Sequence, residues 1–193
     1  MKKKVYLFSA LLMLAIGAGA QTQRGYVLVG SDIADLNFAL NDGGGNFSTT
    51  LNPKAAWFIQ DNVAIGPYLL FGLSHIKDVG TSVSYGAGLF GRLYVGRDQV
   101  NILRHTRLFF EGSAGLEGYN PSVGDNTNGL GLGIGPGITY FLTPNVGVEA
   151  LLKYNGIVGF GSTPATSQLN LGIGFQIYLP GSKIRDRLQD TKK

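Results

Sequence analysis

"GLGLGIGPGITYFL", residues 129–142, places glycine at every second position from Gly129 to Gly137 and Leu130, Leu132, Ile134, Ile138, Tyr140 and Leu142 on the alternate positions. A period of two is the signature of a β-strand, whose successive side chains point to opposite faces. A strand half-buried on a soluble core carries polar and charged residues on its second face, because that face meets water. Here the second face holds five glycines, Thr139 and Phe141, and neither face carries a charge. The apolar face is suited to lipid, and the bare face to a narrow, crowded interior.

The same alternation recurs along the chain, and eight segments of strand length are expected. The last, Ser167 to Leu179, sets Leu169, Leu171, Ile173, Phe175, Ile177 and Leu179 against Asn170, Gly172, Gly174, Gln176 and Tyr178. It is long enough to cross a bilayer, for which a tilted strand needs ~9–11 residues. The seventh, Val146 to Gly156, carries Glu149 and Lys153 opposite Val146, Val148, Ala150, Leu152 and Tyr154. The others are read at Gly25–Leu40, Gly45–Gln60, Val63–Ile76, Thr81–Val95 and Arg107–Tyr119. The first is irregular, because Asp32 breaks the parity of Tyr26, Leu28, Leu36 and Phe38; a bulge is expected there.

Connections sort into two ends. Asp61-Asn62 and Thr143-Pro144-Asn145 have tight-turn chemistry and fall on one end, together with the longer Gly96–His105. "NDGGG", "KDVG", "NPSVGDNTN" and "GSTPAT" fall on the other. This is the pattern of an eight-stranded antiparallel up-and-down barrel. A soluble barrel with its apolar face inside also alternates, and charge discriminates the two. Water-facing strands should carry a charge at about every third or fourth residue, whereas strands six and eight have none. Tyr26, Trp57, Phe110 and Tyr140 stand near the tight-turn ends on the expected apolar face, as an aromatic girdle at a membrane interface would. The fold class read from the sequence is therefore all-β, an eight-stranded transmembrane β-barrel.

The ends agree with export. "MKKKVYLFSALLMLAIGAGAQ" has the charged, apolar and small-residue order of a signal peptide, so residues 1–20 are expected to be removed, 21–179 to form the barrel and 180–193 to form a polar periplasmic tail. Removing Lys2, Lys3 and Lys4 from the 16 basic residues leaves 13 against 12 acidic ones, which takes away the electrostatic footprint of a nucleic-acid partner. The chain has no cysteine, hence no disulfide framework and no thiolate metal site.

The segments "LNPKAAWFIQDNVAIGPYLLFG" (51–72) and "GPGITYFLTPNVGVEALLKY" (135–154), with the signal ending "GAGAQ", resemble the small eight-stranded outer-membrane barrels, in particular the porin-like β-barrel family of Bacteroidetes. The resemblance implies a Gram-negative outer membrane with both termini periplasmic. Its surroundings would be outer-membrane lipid and lipopolysaccharide, with the barrel-assembly machinery as a partner during insertion.

Few residues invite chemistry. "GAGLFG" (86–91) has the G-x-G-x-x-G form, but strand alternation runs straight through it, whereas a dinucleotide site needs a helix to follow. His105 sits in a connection beside Arg104 and Arg107; His75 follows Ser74 near the loop end of strand three, where an outer-leaflet lipid enzyme could use it. The reading names no catalytic residue, metal or cofactor. Lys54, Arg92, Glu111, Glu117, Glu149 and Lys153 are assigned to the inward faces, three bases and three acids in one charge network. The expected function is a structural, envelope-integrity or surface-adhesion role with a lumen filled by side chains, the alternative a narrow channel for ions or small solutes.

Overall fold

The computed structural model describes residues 22–41, 44–95, 105–160 and 166–181, with the side chains of 35–45 and Thr166 left aside. The proposed signal peptide, most of the 96–105 connection, the "GSTPAT" loop and nearly all of the polar tail lie outside the described residues. Eight strands run in chain order: β1 (Tyr26–Asn41), β2 (Gly44–Gln60), β3 (Val63–Ile76), β4 (Gly80–Tyr94), β5 (Thr106–Asn120), β6 (Thr127–Thr143), β7 (Val146–Gly159) and β8 (Thr166–Pro180). Each pairs antiparallel with its sequence neighbour, and β1 pairs with β8 from Tyr26↔Pro180 to Ala34↔Gly172, so the barrel closes. Closure pairs every strand edge, the condition for strands to lie in a medium with no competing hydrogen-bond partner. No described helix is long and apolar enough to cross a membrane.

The tight turns form where expected. Asn62 takes a positive φ of 64° between β2 and β3, and Asp78 and Gly80 do so in the β3–β4 loop at 63° and 120°. Asparagine, aspartate and glycine tolerate that conformation best. Residues 22–25 fold under the β2–β3 turn: Asn62 N–H donates to the Thr22 carbonyl at 2.7 Å, and Gly25 N–H to that of Phe58 at 2.9 Å.

Side chains divide by parity into two unlike faces. Leu89, Leu93, Leu116, Leu171 and Ile173 are about 60% exposed on the outside, while their strand neighbours Phe90 and Arg92 are 2% and 1% exposed. Every charged residue among the described strand side chains (Asp32, Lys54, Arg92, Arg107, Glu111, Glu117, Glu149 and Lys153) lies on an inward position. Polar inside and apolar outside is the inverse of a soluble protein, whose contiguous exposed apolar patches rarely exceed a few hundred Å². It is the distribution of a barrel solvated by lipid.

One strand is turned relative to the sequence expectation. On β1, Val29 and Ile33 are exposed, whereas Leu28 (0% exposed) and Asp32 (5%) are buried inside. Tyr26 shares their parity and packs against the interior cluster, so it does not belong to the outward aromatic set. The physical reason is Asp32. The first turn of alternation in "YVLVG" is apolar on both faces, and the carboxylate decides which face meets the lumen. The register shift lies between Ala34 and Asn37, two residues beyond Asp32. Trp57, Phe110 and Tyr140 do face outward near the turn end, at 54%, 47% and 53% exposure.

Candidate functional site in the barrel lumen

From the turn end, the first layer of the lumen is aromatic. Phe58, Tyr94, Phe109, Phe141 and Tyr178, from β2, β4, β5, β6 and β8, converge with ring centroids 5.0 Å apart for Phe141–Tyr178, 5.5 Å for Tyr94–Phe109 and 5.8 Å for Phe58–Tyr94. These are tilted contacts within the favourable range for aromatic pairs. The two tyrosine hydroxyls meet at 2.9 Å.

The glycine face of β6 makes this layer possible. A Cβ at Gly137 would stand 2.5 Å from Cε2 and 2.7 Å from Cε1 of Phe109; higher in the lumen, one at Gly115 on β5 would likewise stand 2.6 Å from the Tyr68 hydroxyl. Both are far below van der Waals contact. Gly137→Ala is therefore expected to force Phe109 out of place and to lower stability by ~1–3 kcal/mol, the usual cost of overpacking. Urea unfolding of the protein refolded into lipid vesicles measures it, with the outward Ala150→Gly as a control for backbone effects. An equally stable Gly137→Ala variant would mean that the ring has room to move.

Above the aromatic layer sits a connected set of charges. Arg92 Nε donates to Glu111 Oε2 at 2.7 Å and its Nη1 lies 2.7 Å from Glu149 Oε2. Lys54 pairs with Asp32 and, at 3.2 Å, with Glu111 Oε2. Lys153 Nζ reaches Glu111 Oε1 at 3.1 Å. Thr139 and Tyr178 both donate to Glu149 Oε1 at 2.8 Å, and Arg92 Nη1 donates to the Tyr94 hydroxyl at 3.1 Å, which ties the charges to the aromatic layer. The Arg92 guanidinium also lies 4.2 Å from the Phe109 ring centroid, a close cation–π contact. Burying several ions is tolerable only when they are paired, and here each has an ion-pair partner and at least one hydrogen bond across five strands, while Arg92 Nη2 and Glu149 Oε2 make no hydrogen bond.

Of the six charges assigned to the lumen from sequence, five are joined: Lys54, Arg92, Glu111, Glu149 and Lys153. Glu117 stands apart, held by the Tyr68 hydroxyl, which donates to Oε1 at 2.6 Å. Sequence reasoning missed Asp32 as a network member, along with Gln176, whose Nε2 donates to Asp32 at 2.9 Å. The signal was available. A carboxylate in a strand at bilayer depth faces the lumen by default, so Asp32 itself sets the parity of β1.

The loop half of the lumen differs from the expectation of a filled interior. A cavity of about 510 Å³ occupies it, with Asp32, Tyr68, Glu117 and Lys153 toward its floor and hydroxyl and amide side chains on its walls. Inward residues there are small: Ser48 and Thr50 on β2, Ser74 on β3, Ser82 and Ser84 on β4. The lumen is thus a closed lower half and an open upper vestibule.

Neither histidine joins a reactive group. His75 Nδ1 lies 3.0 Å from the Thr81 hydroxyl at the exposed rim. Ser74 lines the cavity and the adjacent His75 takes the opposite face, so the two do not form a serine–histidine pair. His105 lies against Tyr140, ring centroids 6.4 Å apart. "GAGLFG" lies wholly within β4, without the following helix a dinucleotide site requires. Among the described residues no group of three His, Cys, Asp or Glu comes together to hold a metal.

Comparison with solved structures places this architecture. The neisserial surface protein A, NspA, superposes with a TM-score of 0.57 at 17% identity, covering 79% of this chain and 95% of that one. The chain has the fold of an eight-stranded outer-membrane barrel. The N-terminal β-barrel domain of Pseudomonas aeruginosa OprF is also similar, with 16% identity, coverage of 81% and 98%, and a TM-score of 0.48. So is Ail, the attachment invasion locus protein of Yersinia pestis, with 11% identity, coverage of 80% and 100%, and a TM-score of 0.46. No protein-family model and no curated protein matches the chain.

Proposed function

We propose that this chain is a non-enzymatic integral protein of a Gram-negative outer membrane, of the porin-like kind found in Bacteroidetes. Its closed barrel carries short surface loops and serves envelope integrity or adhesion. The observation that carries this reading is the floor of the lumen. Arg92, Glu111 and Glu149 are 2% exposed or less and lie directly above five packed aromatic rings, so the described side chains fill the lumen at this level. The start of β1 and the end of β8 stand beside the tight turns, which in such barrels face the periplasm; the loops then face outward and the barrel exterior meets lipid and lipopolysaccharide. Insertion would use the barrel-assembly machinery.

The channel reading draws on the open vestibule, and it requires the Arg92 layer to part. Planar-bilayer recording of the refolded protein separates the two. A heat-modifiable gel shift with a silent bilayer is expected. Steady conductance that changes with Arg92→Gln or Glu149→Gln would replace the structural reading with a channel gated by the ion-paired layer.

A further inference from the structure

The vestibule has a chemistry of its own. Its walls carry hydroxyls and amides (Thr50, Ser74, Ser82, Ser84, Asn155 and Gln168), groups that both donate and accept hydrogen bonds. Its volume of about 510 Å³ lies in the ordinary range for small-molecule sites, roughly 300–1,000 Å³, and its wall mixes these polar groups with apolar surface from Leu70, Leu151 and Ile157. That wall suits a solute that carries hydroxyls on a compact carbon frame.

The charges at its floor decide the sign of the ligand. Lys54, Arg92 and Lys153 each have a carboxylate partner, and Glu111 alone serves all three. Among the described side chains, four acids, Asp32, Glu111, Glu117 and Glu149, therefore face three bases at and below the floor. Arg107, the other inward base among the described side chains, is on the turn side of Phe109 along β5 and remote from the vestibule. The surplus negative charge is Glu117. Among the described residues it has no ion pair and one hydrogen bond, from Tyr68, and it lines the cavity.

The barrel also makes room for this carboxylate. Glu117 is flanked in register by Gly86 on β4 and Gly129 on β6. A Cβ at Gly86 would stand 2.7 Å from Glu117 Cγ, and one at Gly131 would stand 2.6 Å from it. Small neighbours on both sides let the side chain lie along the wall instead of being pushed to the rim.

We infer that the vestibule is a binding site for a small, polyhydroxylated organic ammonium compound, whose amino group pairs with Glu117 while its hydroxyls meet the serine, threonine and amide wall. An anion finds no uncommitted cation at the floor. A bare metal ion finds too few ligands, since no three metal-binding side chains converge among the described residues. An ammonium group supplies the charge missing beside Glu117, and a hydroxylated body fills the remaining space. The inference stands on the cavity and its charges, so it holds whether or not the floor conducts.

Three probes of nearly one shape and three charges test it: glucosamine, glucose and glucuronate, each titrated into the refolded full-length barrel in micelles at low ionic strength and followed by amide chemical shifts of the loop-half strands. Glucosamine is expected to bind at least tenfold more tightly than glucose, with glucuronate weakest. Glu117→Gln, which keeps an acceptor for the Tyr68 hydroxyl, is expected to bring glucosamine down to the glucose level. Equal binding of the three probes, no binding of glucosamine, or a correctly folded Glu117→Gln variant that binds glucosamine like the parent would each overturn the inference. The wild-type comparison alone decides if the variant does not fold.

Discussion

Replacing Glu111 by leucine is expected to lower the stability of the folded barrel by ~3–5 kcal/mol, the range seen when one partner of a buried ion pair is removed. Glu111 is 1% exposed and is the shared partner of Lys54, Arg92 and Lys153. Without it, Lys54 keeps Asp32 and Arg92 keeps Glu149, while Lys153 is left with no acidic partner among the described residues. The substitution also leaves three cations around the space the carboxylate occupied, so repulsion adds to desolvation. Urea unfolding in lipid vesicles is the measurement. A second pair of variants separates pairing from packing: Lys54→Met alone leaves Asp32 buried without its cation, whereas Lys54→Met with Asp32→Asn removes both charges. The double variant should be the more stable of the two. If the single and double variants unfold alike, the charges are hydrated in the folded state and the layer is not the sealed floor described above.

The outer face makes the second large prediction. Ile173 is 63% exposed near the middle of β8, with Gly172 and Gly174 turned inward beside it. Ile173→Arg puts a guanidinium at bilayer depth, at an expected cost of ~2–4 kcal/mol in lipid. In a water-soluble barrel the same change at an exposed site would be worth ~0.5 kcal/mol or less. Arginine at Trp57, closer to the turn end, should cost much less than at Ile173, because the penalty falls toward the interface. A flat profile from Ile173 to Trp57 would mean that the exterior does not sit in a membrane.

How far the sequence could be read depends on the contrast between the two faces of each strand. On β6, glycine against leucine and isoleucine leaves one reading, and both its span and its inward face agree with the structure. The tight turns at Asp61-Asn62 and Pro144-Asn145 were legible for the same reason, since their residues suit conformations that others resist. On β1 both faces of "YVLVG" are apolar, so periodicity alone could not orient the strand, and Tyr26 and Leu28 were placed on the lipid side. Asp32 carries the answer, since a carboxylate at bilayer depth faces the lumen, where it meets Lys54 across the β1–β2 pair. The vestibule was illegible for a different reason. Whether inward serines and glycines leave a cavity or are filled by neighbours depends on which side chains share one level of the barrel. That follows from stagger between strands, which no single strand contains. Tyr68 and Phe109 fill the space beside Gly115 and Gly137, while the serines of β2, β3 and β4 face open volume.

Trp57 offers the most direct test of the central claim, that this is a barrel whose apolar face is solvated by lipid. It is the one tryptophan in the chain, and it points outward near the turn end with 54% of its surface free of protein contact. Its fluorescence in vesicles made with brominated lipids reports whether that free surface touches acyl chains. The account predicts blue-shifted emission, strongly quenched by bromines placed near the headgroups, less by those at the bilayer centre, and resistant to acrylamide in the water. Emission that ignores the brominated lipids and is quenched by acrylamide would contradict the inside-out fold, and with it the membrane reading of every outward face.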